Sequence, residues 1–181
     1  MIDPAAVAGL VQFFWDPTDC AALKSRELIL MLLDCSPEPF ARSQLTPGHI
    51  TCTGLVLAPD GERVLLVHHR RLDRWLVPGG HVEAGDAAIW DTARREVVEE
   101  TGVALAREPE PRLTGLDVHG IPSAKGEPYH LHHDLLFLFH ATGDELRVSE
   151  ESHAVVWCAP AEFERYGIPE NLGRAYRRMV A

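Results

Sequence analysis

Three glutamates near the middle of the chain have the spacing of a metal site. Glu96, Glu99 and Glu100 stand at i, i+3 and i+4 of a helical pattern, so their carboxylates project from one face of the helix. Carboxylates crowded in this way destabilise a bare helix, whereas a hard divalent cation takes them as oxygen ligands. The acidic turn also lies at the negative end of the helix dipole, directly before Gly102, which is a plausible C-cap. A solvated acidic face is the alternative interpretation.

A pair of glycines precedes this helix. Gly79 and Gly80 follow the strand-like run Leu76-Val77-Pro78, at a point where a backbone must pass close to another group. A close backbone approach next to an acidic helix is unexplained if the acids are merely solvated. The combination therefore favours a functional site.

The segment from Gly80 to Val103 resembles the signature of the Nudix hydrolases, G-x5-E-x7-R-E-U-x-E-E-x-G-U, in which U is an apolar residue. Residues 95–103 match the end of the signature at every position. Asp86 stands where the family has glutamate, and eight residues separate it from Arg95 where the signature has seven. Because the spacing of the glutamates is undisturbed, we expect the extra residue in the loop or first turn before the helix.

The resemblance implies an α/β protein with the Nudix fold, in which a mixed β-sheet is sandwiched between α-helices. We assign residues 46–181 to this domain and residues 1–45 to an N-terminal helical extension. The implied activity is that of a Mg²⁺-dependent nucleotide pyrophosphohydrolase, with Mn²⁺ as a substitute cation. Water would attack a phosphoanhydride bond of a nucleoside diphosphate linked to another moiety, and the substrate partner would be that nucleotide or nucleotide derivative.

Two other functions are compatible with the same fold. One is a non-catalytic Nudix domain that senses a nucleotide ligand, and the other is an isoprenoid-diphosphate isomerase that uses a cysteine and a glutamate. The first should show eroded acids or an added DNA-binding module, and the sequence has neither. The second could draw on Cys52, which lies in a predicted strand, but the intact hydrolase signature favours hydrolysis.

The family resemblance assigns roles to the matching residues. The positions of Glu96 and Glu100 are the most regular metal ligands of the family, Glu99 usually contributes, and a backbone carbonyl at the glycine turn completes the shell. We therefore predict that these three glutamates and Gly80 bind the metal. Glu99 and Glu100 are also predicted to be catalytic.

Arg95 is the basic residue of the signature. We predict that it acts in catalysis by orienting the acids, through a pair with Glu83 or Asp86 that fixes the loop against the helix. Glu83 and Asp86 would then support the loop. A simple surface salt bridge, worth ~0–1 kcal/mol, is the alternative.

An acid outside the signature often completes the chemistry in this family, as a base or an extra ligand. The first candidate is Asp134, which lies in a predicted strand, and it is included among the catalytic residues. The second candidate is the pair Glu150-Glu151, in a loop before the last strand. Either could instead be solvated.

Histidines surround the first of these candidates. Alternation along the strand puts His130, His132 and Asp134 on one face. Histidine nitrogen attracts Zn²⁺ or Fe²⁺ rather than Mg²⁺, so these residues could form an independent transition-metal site. We favour a polar strand face along the substrate cleft, with His130 and His132 in contact with substrate. His119 is a further candidate for this cleft.

Three residues upstream of the signature are also predicted to bind substrate. His68 and Arg70 belong to the densest basic run of the chain and could meet a phosphate or an acidic substrate tail. Trp75 could stack on a base or ring. A solvated strand end and ordinary aromatic packing are the alternatives.

Composition narrows the class of protein. The chain of 181 residues suits one domain, and no apolar run approaches the ~20 residues of a membrane span. Four cysteines without metal-ligand spacing and an N-terminus without a secretory pattern predict a cytoplasmic protein. The net charge of −10 argues against a stable nucleic-acid partner. The sequence is compatible with a homodimer.

Periodicity predicts the elements that must position these residues. Helices are expected over Pro4–Phe14, Asp19–Asp34, Ala161–Tyr166 and Glu170–Val180, besides the acidic helix, with Asp19 as an N-cap. Strands are expected over Ile50–Leu57, Arg63–His68, Leu113–His119, Tyr129–Ala141 and Ala154–Cys158. Strands interleaved with helices predict a sheet that is covered on both faces.

Overall fold

The computed structural model describes residues 2–124 and 126–180. The helices are α1 (Pro4–Gln12), α2 (Cys20–Cys35), α3 (Ile89–Thr101) and α4 (Glu170–Val180). The strands are β1 (Gly48–Leu57), β2 (Val64–His69), β3 (Arg74–Leu76), β4 (Gly79–His81), β5 (Leu113–Ile121), β6 (His130–His140) and β7 (Ser152–Cys158). None of the helices within the described ranges combines the length and the hydrophobicity needed to cross a membrane.

The seven strands form one mixed sheet. Its main order is β3-β2-β1-β6-β5, with β4 paired to β1 and β7 paired to β2. The central pair β1 and β6 is parallel over ten residue pairs, whereas the other pairings are antiparallel. Strand β2 pairs with β1 only at the Leu57 end. Along the same edge of β1, the preceding residues pair with β4.

Helices cover both faces of this sheet, as predicted. On one face, alternate residues of β1 and β6 such as Ile50 and Phe137 join a core with α1, α2 and α3. On the other face, Leu55 and Leu138 pack against Leu172 and Tyr176 at the position of α4. This mixed sheet between helical layers confirms the expected α/β fold, and it puts α3 on the face to which Cys52 points.

Local patterns located most of the elements. Asp19 caps α2, because its side chain accepts a hydrogen bond from the Ala22 amide at 3.1 Å. Gly102 caps α3 in the left-handed region at φ 66°, where its amide donates to the Val98 carbonyl. Both predicted caps are therefore confirmed.

The helix predicted over Ala161–Tyr166 is wrong in extent. The structure has a 3₁₀ turn over Pro160–Glu162, followed by further turns that end at Gly167, where φ is +63°. Phe163 and Tyr166 pack against the α4 core, so burial of these two rings shapes the segment more than helical hydrogen bonding does.

The first 45 residues are joined to the rest by a charged network. Asp16 and Asp19 are buried, with 7% and 2% of their surface exposed. Arg174 of α4 donates to Asp19 at 3.0 Å, and Arg178 bonds both aspartates and also donates to the Thr114 carbonyl of β5 at 2.7 Å. The N-terminal helices are thus tied to the last helix and to the sheet.

Candidate active site

The acidic helix α3 lies against the central strands. Its apolar side carries Ala93 and Val97, which are fully buried, while Trp90 is half-buried against the same core. Burial of that side turns the acids toward the glycine strand β4. The position of the carboxylates follows from the amphipathic pattern of the helix.

The glycine pair is required by close packing on both of its sides. A Cβ on Gly80 would lie 2.4 Å from Oε1 of Glu96, and a Cβ on Gly79 would lie 2.5 Å from the Thr53 side chain. A Cβ on Gly79 would also lie 2.6 Å from the Cys52 carbonyl oxygen, so a larger residue there would push β4 away from β1, whereas a larger residue at position 80 would displace the Glu96 carboxylate. Glycine here brings the backbone into contact with the acids.

Glu100 is the most buried of the three glutamates. Only 6% of its surface is exposed, and Oε1 accepts a hydrogen bond from the Gly79 amide at 2.9 Å. Burial raises the pKa of Glu100 to about 7, and the negative charges of Glu96, Glu151 and Glu99 add to the effect. Burial likewise raises the pKa of Glu96 above its ordinary value.

Arg95 lies among the acids rather than facing bulk solvent. It donates to Glu96 at 2.9 Å and to Glu99 at 3.3 Å, and it forms ion pairs with Asp86 at 3.2 Å and Glu83 at 3.7 Å. Glu99 is the most exposed of the three signature glutamates. Arg95 therefore makes both of the loop contacts expected from the sequence, and it also bridges to the helix acids.

Asp86 is buried by the loop that precedes α3. Its carboxylate accepts hydrogen bonds from the Glu83 amide at 2.9 Å and the Thr92 hydroxyl at 2.7 Å, besides Arg95. Burial alone would raise the pKa of Asp86, but these bonds from Arg95, Glu83 and Thr92 lower it below the ordinary value. Asp86 has the contacts of a residue that closes the loop onto the helix.

The two candidate acids outside the signature occupy different places. Burial raises the pKa of both Glu96 and Glu100, and the negative charge of Glu151, whose side chain is exposed, adds to both shifts. Asp134 pairs in register with Thr51, on the face of β1 opposite Cys52 and α3. Its oxygens accept hydrogen bonds from Thr51 at 2.9 Å and Thr53 at 2.6 Å. Asp134 therefore points away from the helix acids, and both of its oxygens already accept hydrogen bonds.

Arg70 holds the loop that carries Glu151. Its amide donates to the Glu151 carbonyl at 2.9 Å, and its Nε donates to the Ser152 carbonyl at 2.9 Å. These contacts hold the backbone of the loop at Glu151. Sequence reasoning placed Arg70 near a substrate phosphate, and it had no signal for this backbone contact between distant segments.

The remaining predicted substrate residues form two separate groups. His68 stacks on Trp75 with ring centroids 4.9 Å apart, and Tyr166 meets the same indole edge-on. His130 and His132 lie beside His49 and His81, on the Asp134 side of the sheet. The structure therefore does not bring all of the predicted substrate contacts together.

The α3 acids fit the divalent cation that the signature implies. Glu96 and Glu100 are carboxylates held together under a backbone strand, and burial, with repulsion from the neighbouring acids as a smaller cause, raises the pKa of both. Arg95 supplies one positive charge to a group that also contains Glu83, Asp86 and Glu99. A hard cation with oxygen ligands would balance the remaining negative charge of these carboxylates.

A comparison with protein families decides the classification. The sequence model of the NUDIX domain matches residues 48–179. The chain belongs to the Nudix family. A relative in Bacillus subtilis (strain 168), provisionally named an 8-oxo-dGTP diphosphatase, is 25% identical over 118 residues, which are 65% of this chain and 71% of that protein. This Nudix protein is a pyrophosphohydrolase that acts on acid anhydrides.

Solved structures have the same fold. A MutT Nudix hydrolase from Burkholderia pseudomallei is 28% identical, with a TM-score of 0.51 over 72% of this Nudix chain and 94% of its own. An Ap4A hydrolase from C. elegans has a TM-score of 0.55 at 20% identity and covers 72% of this chain and 94% of its own. At that identity the second likeness concerns the fold alone.

Proposed function

We propose that this Nudix enzyme hydrolyses a phosphoanhydride bond of a nucleoside diphosphate linked to another moiety, with Mg²⁺ as the cofactor. The observation that carries the proposal is the burial of Glu96 and Glu100 against Gly79 and Gly80. These carboxylates are too buried and too close to be a solvated face. The name of the Bacillus subtilis relative, a diphosphatase, supports the same substrate class.

Each residue has a defined part in this reaction. Glu96 and Glu100 would hold the cation, with Glu99 and the Gly80 carbonyl as further oxygen ligands. When bound, the cation neutralises the diphosphate charge and activates water for attack on phosphorus. Glu151 accepts a proton from the attacking water as the new P–O bond forms and the anhydride P–O bond breaks. Arg95 and Asp86 keep the acids and the loop in place.

The two alternative functions are less compatible with the structure. A ligand-sensing domain has no need of buried carboxylates whose charge is unbalanced without a cation. An isomerase would need a reactive cysteine, but Cys52 is fully buried in the core. Burial raises the pKa of the Cys52 thiol well above its ordinary value, which disfavours the thiolate.

A substrate panel tests the proposal directly. The enzyme, prepared without metal, should be inactive until Mg²⁺ or Mn²⁺ is added. It should then release phosphate or a nucleoside monophosphate from a substrate among the nucleoside triphosphates, dinucleoside polyphosphates, nucleotide sugars and dinucleotide cofactors. Activity should survive a zinc-selective chelator, since carboxylates rather than histidines hold the cofactor. Tight binding of a nucleotide without turnover under every metal condition would instead establish the sensing alternative.

Glu151→Gln is expected to lower kcat by ~10²–10⁴-fold, the range for loss of a general base, with little change in KM. The neighbouring Glu150→Gln is the matched control and should leave kcat unchanged, because Glu151, unlike Glu150, is an acid whose charge adds to the effect of burial on the pKa of Glu96 and Glu100. Asp134→Asn should alter stability more than kcat, since Asp134 bonds the threonines of β1. A kcat loss in Asp134→Asn that exceeds the loss in Glu151→Gln would contradict the assignment of the base.

A further inference from the structure

Four histidines converge on the sheet face opposite α3. His49 on β1, His81 on β4 and His132 on β6 have ring centroids 4.9–5.1 Å apart, and His130 lies 5.3 Å from both His49 and His132. Register explains the convergence, because His49 lies opposite His132 in the parallel pair and β4 is the other neighbour of β1. Three strands thus contribute to a single cluster, with one ring each from β1 and β4 and two from β6.

One nitrogen of the cluster is buried without a partner. His49 has 1% of its surface exposed, and its Nδ1 lies 3.1 Å from the Gln44 carbonyl oxygen. Since a carbonyl only accepts, Nδ1 carries the proton and Nε2 is left with a lone pair. That Nε2 is buried and has no hydrogen-bond partner among the described residues. A histidine fixed by a backbone carbonyl on one nitrogen and free on the other has the arrangement of a metal ligand.

The spacing of the donor atoms suits a transition metal. One nitrogen from each of His49, His81 and His132 lies within 4.8 Å of the other two. Two ligands of a tetrahedral zinc ion at ~2.0–2.1 Å stand ~3.4 Å apart, so side-chain movements of about 1 Å would complete the site. A cavity of about 20 Å³, lined by these rings together with Arg42 and Arg71, has room for one atom of that size.

The protonation of the cluster is compatible with metal binding. Burial lowers the pKa of His132 to about 2 and that of His81 to about 4, and repulsion from the neighbouring histidines adds to both shifts. The rings are therefore neutral near pH 7, and a neutral imidazole is the form that binds a metal. Without an ion, the buried Nε2 of His49 has no group in the described part of the chain to satisfy its lone pair.

We propose that His49, His81 and His132 form a second metal site, which takes Zn²⁺ or a similar transition-metal cation. Its ligand set differs from the trio His130, His132 and Asp134 suggested by one strand alone, because both Asp134 oxygens are occupied by threonine hydroxyls. Three nitrogen ligands leave a fourth position open, to which His130, water or an anion near Arg42 and Arg71 could bind. Imidazole ligands select against Mg²⁺, so the two centres would hold different ions.

Zinc titration of the metal-free, full-length protein tests this site without any need for a substrate. Calorimetry and elemental analysis should find one Zn²⁺ per chain, retained in the Glu96→Gln, Glu100→Gln double variant. Cobalt in place of zinc should give the visible absorption bands of a four- or five-coordinate nitrogen site. His132→Gln and His81→Gln should each weaken zinc binding at least ~100-fold, more than loss of an outer-shell partner does.

A control variant and a check of folding accompany the zinc titration. His140→Gln alters an exposed histidine that pairs with Glu108, and it should bind zinc like the parent protein. Circular dichroism should show that the two cluster variants remain folded. Failure of the parent protein to bind Zn²⁺ would overturn the proposal, as would equal zinc affinity in parent and His132→Gln. Loss of zinc in the glutamate double variant would assign the ion to the α3 acids instead.

Discussion

Glu100→Gln is expected to reduce kcat by more than the ~10–100-fold that the loss of an outer-shell partner costs in a metal site. The substitution removes one negative charge and one cation ligand, while the glutamine oxygen can still accept the hydrogen bond from the Gly79 amide. The loss should therefore reflect cofactor binding and not misfolding. Steady-state kinetics over a range of Mg²⁺ concentrations measures it, and activity equal to that of the parent would remove Glu100 from the metal site.

The same variant, which should lower activity, is expected to raise the stability of the metal-free protein at neutral pH. The folded-state pKa of Glu100, about 7, lies above its ordinary value of 4.5, so the contribution of this group to the stability of the metal-free protein is fully present below pH 4.5 and is lost as pH rises through 7. A shift of this size corresponds to at most about 3 kcal/mol. Thermal unfolding without metal should show a Tm that falls from pH 5 to pH 8 in the parent and falls less in Glu100→Gln. Parallel pH profiles for the two proteins would contradict this.

Arg178→Ala is expected to destabilise the protein by about 3 kcal/mol, because it leaves two buried aspartates without their shared partner. For a domain of this size the corresponding drop in Tm is about 10 °C. Arg178 joins Asp16 and Asp19, between α1 and α2, to the Thr114 carbonyl of β5. Its removal should therefore loosen the N-terminal helices before the sheet unfolds.

Arg177→Ala is the matched control for this prediction. Arg177 is the preceding residue of α4 and is exposed, so its loss should change stability by less than about 0.5 kcal/mol. Denaturant unfolding of both variants, with limited proteolysis to locate the first cleavage, separates local from global effects. Equal stability of the two variants would mean that the network does not hold the extension in place.

The local part of the site was predictable from the sequence, because its geometry is set by helical spacing. Glu96, Glu99 and Glu100 share a face for this reason, and the cap at Gly102 follows from one left-handed residue. Strands β3 and β4 have three residues each, which is too short for an alternating hydrophobic pattern to be detected in the sequence. The two glycines therefore indicated a close backbone contact at β4, but they could not identify α3 and β1 as its partners.

Contacts between distant strands were beyond prediction from one sequence. The alternation of β6 correctly put His130, His132 and Asp134 on one face, but it could not show that α3 covers the other. His49 and His81 joined the cluster only through the pairing of β1 with β6 and β4. The choice between Asp134 and Glu151 depended on the same information, since a loop residue carries no periodic signal.

The three residues of β4 link the two sides of the sheet. Gly79 donates to Glu100, Gly80 touches Glu96, and the ring of His81 belongs to the histidine cluster while its carbonyl accepts a hydrogen bond from Arg95 at 2.8 Å. A shift of this short strand would alter both ligand sets at once. Occupancy of one centre and affinity of the other are then thermodynamically linked, and each ion must change the binding of its counterpart by the same factor.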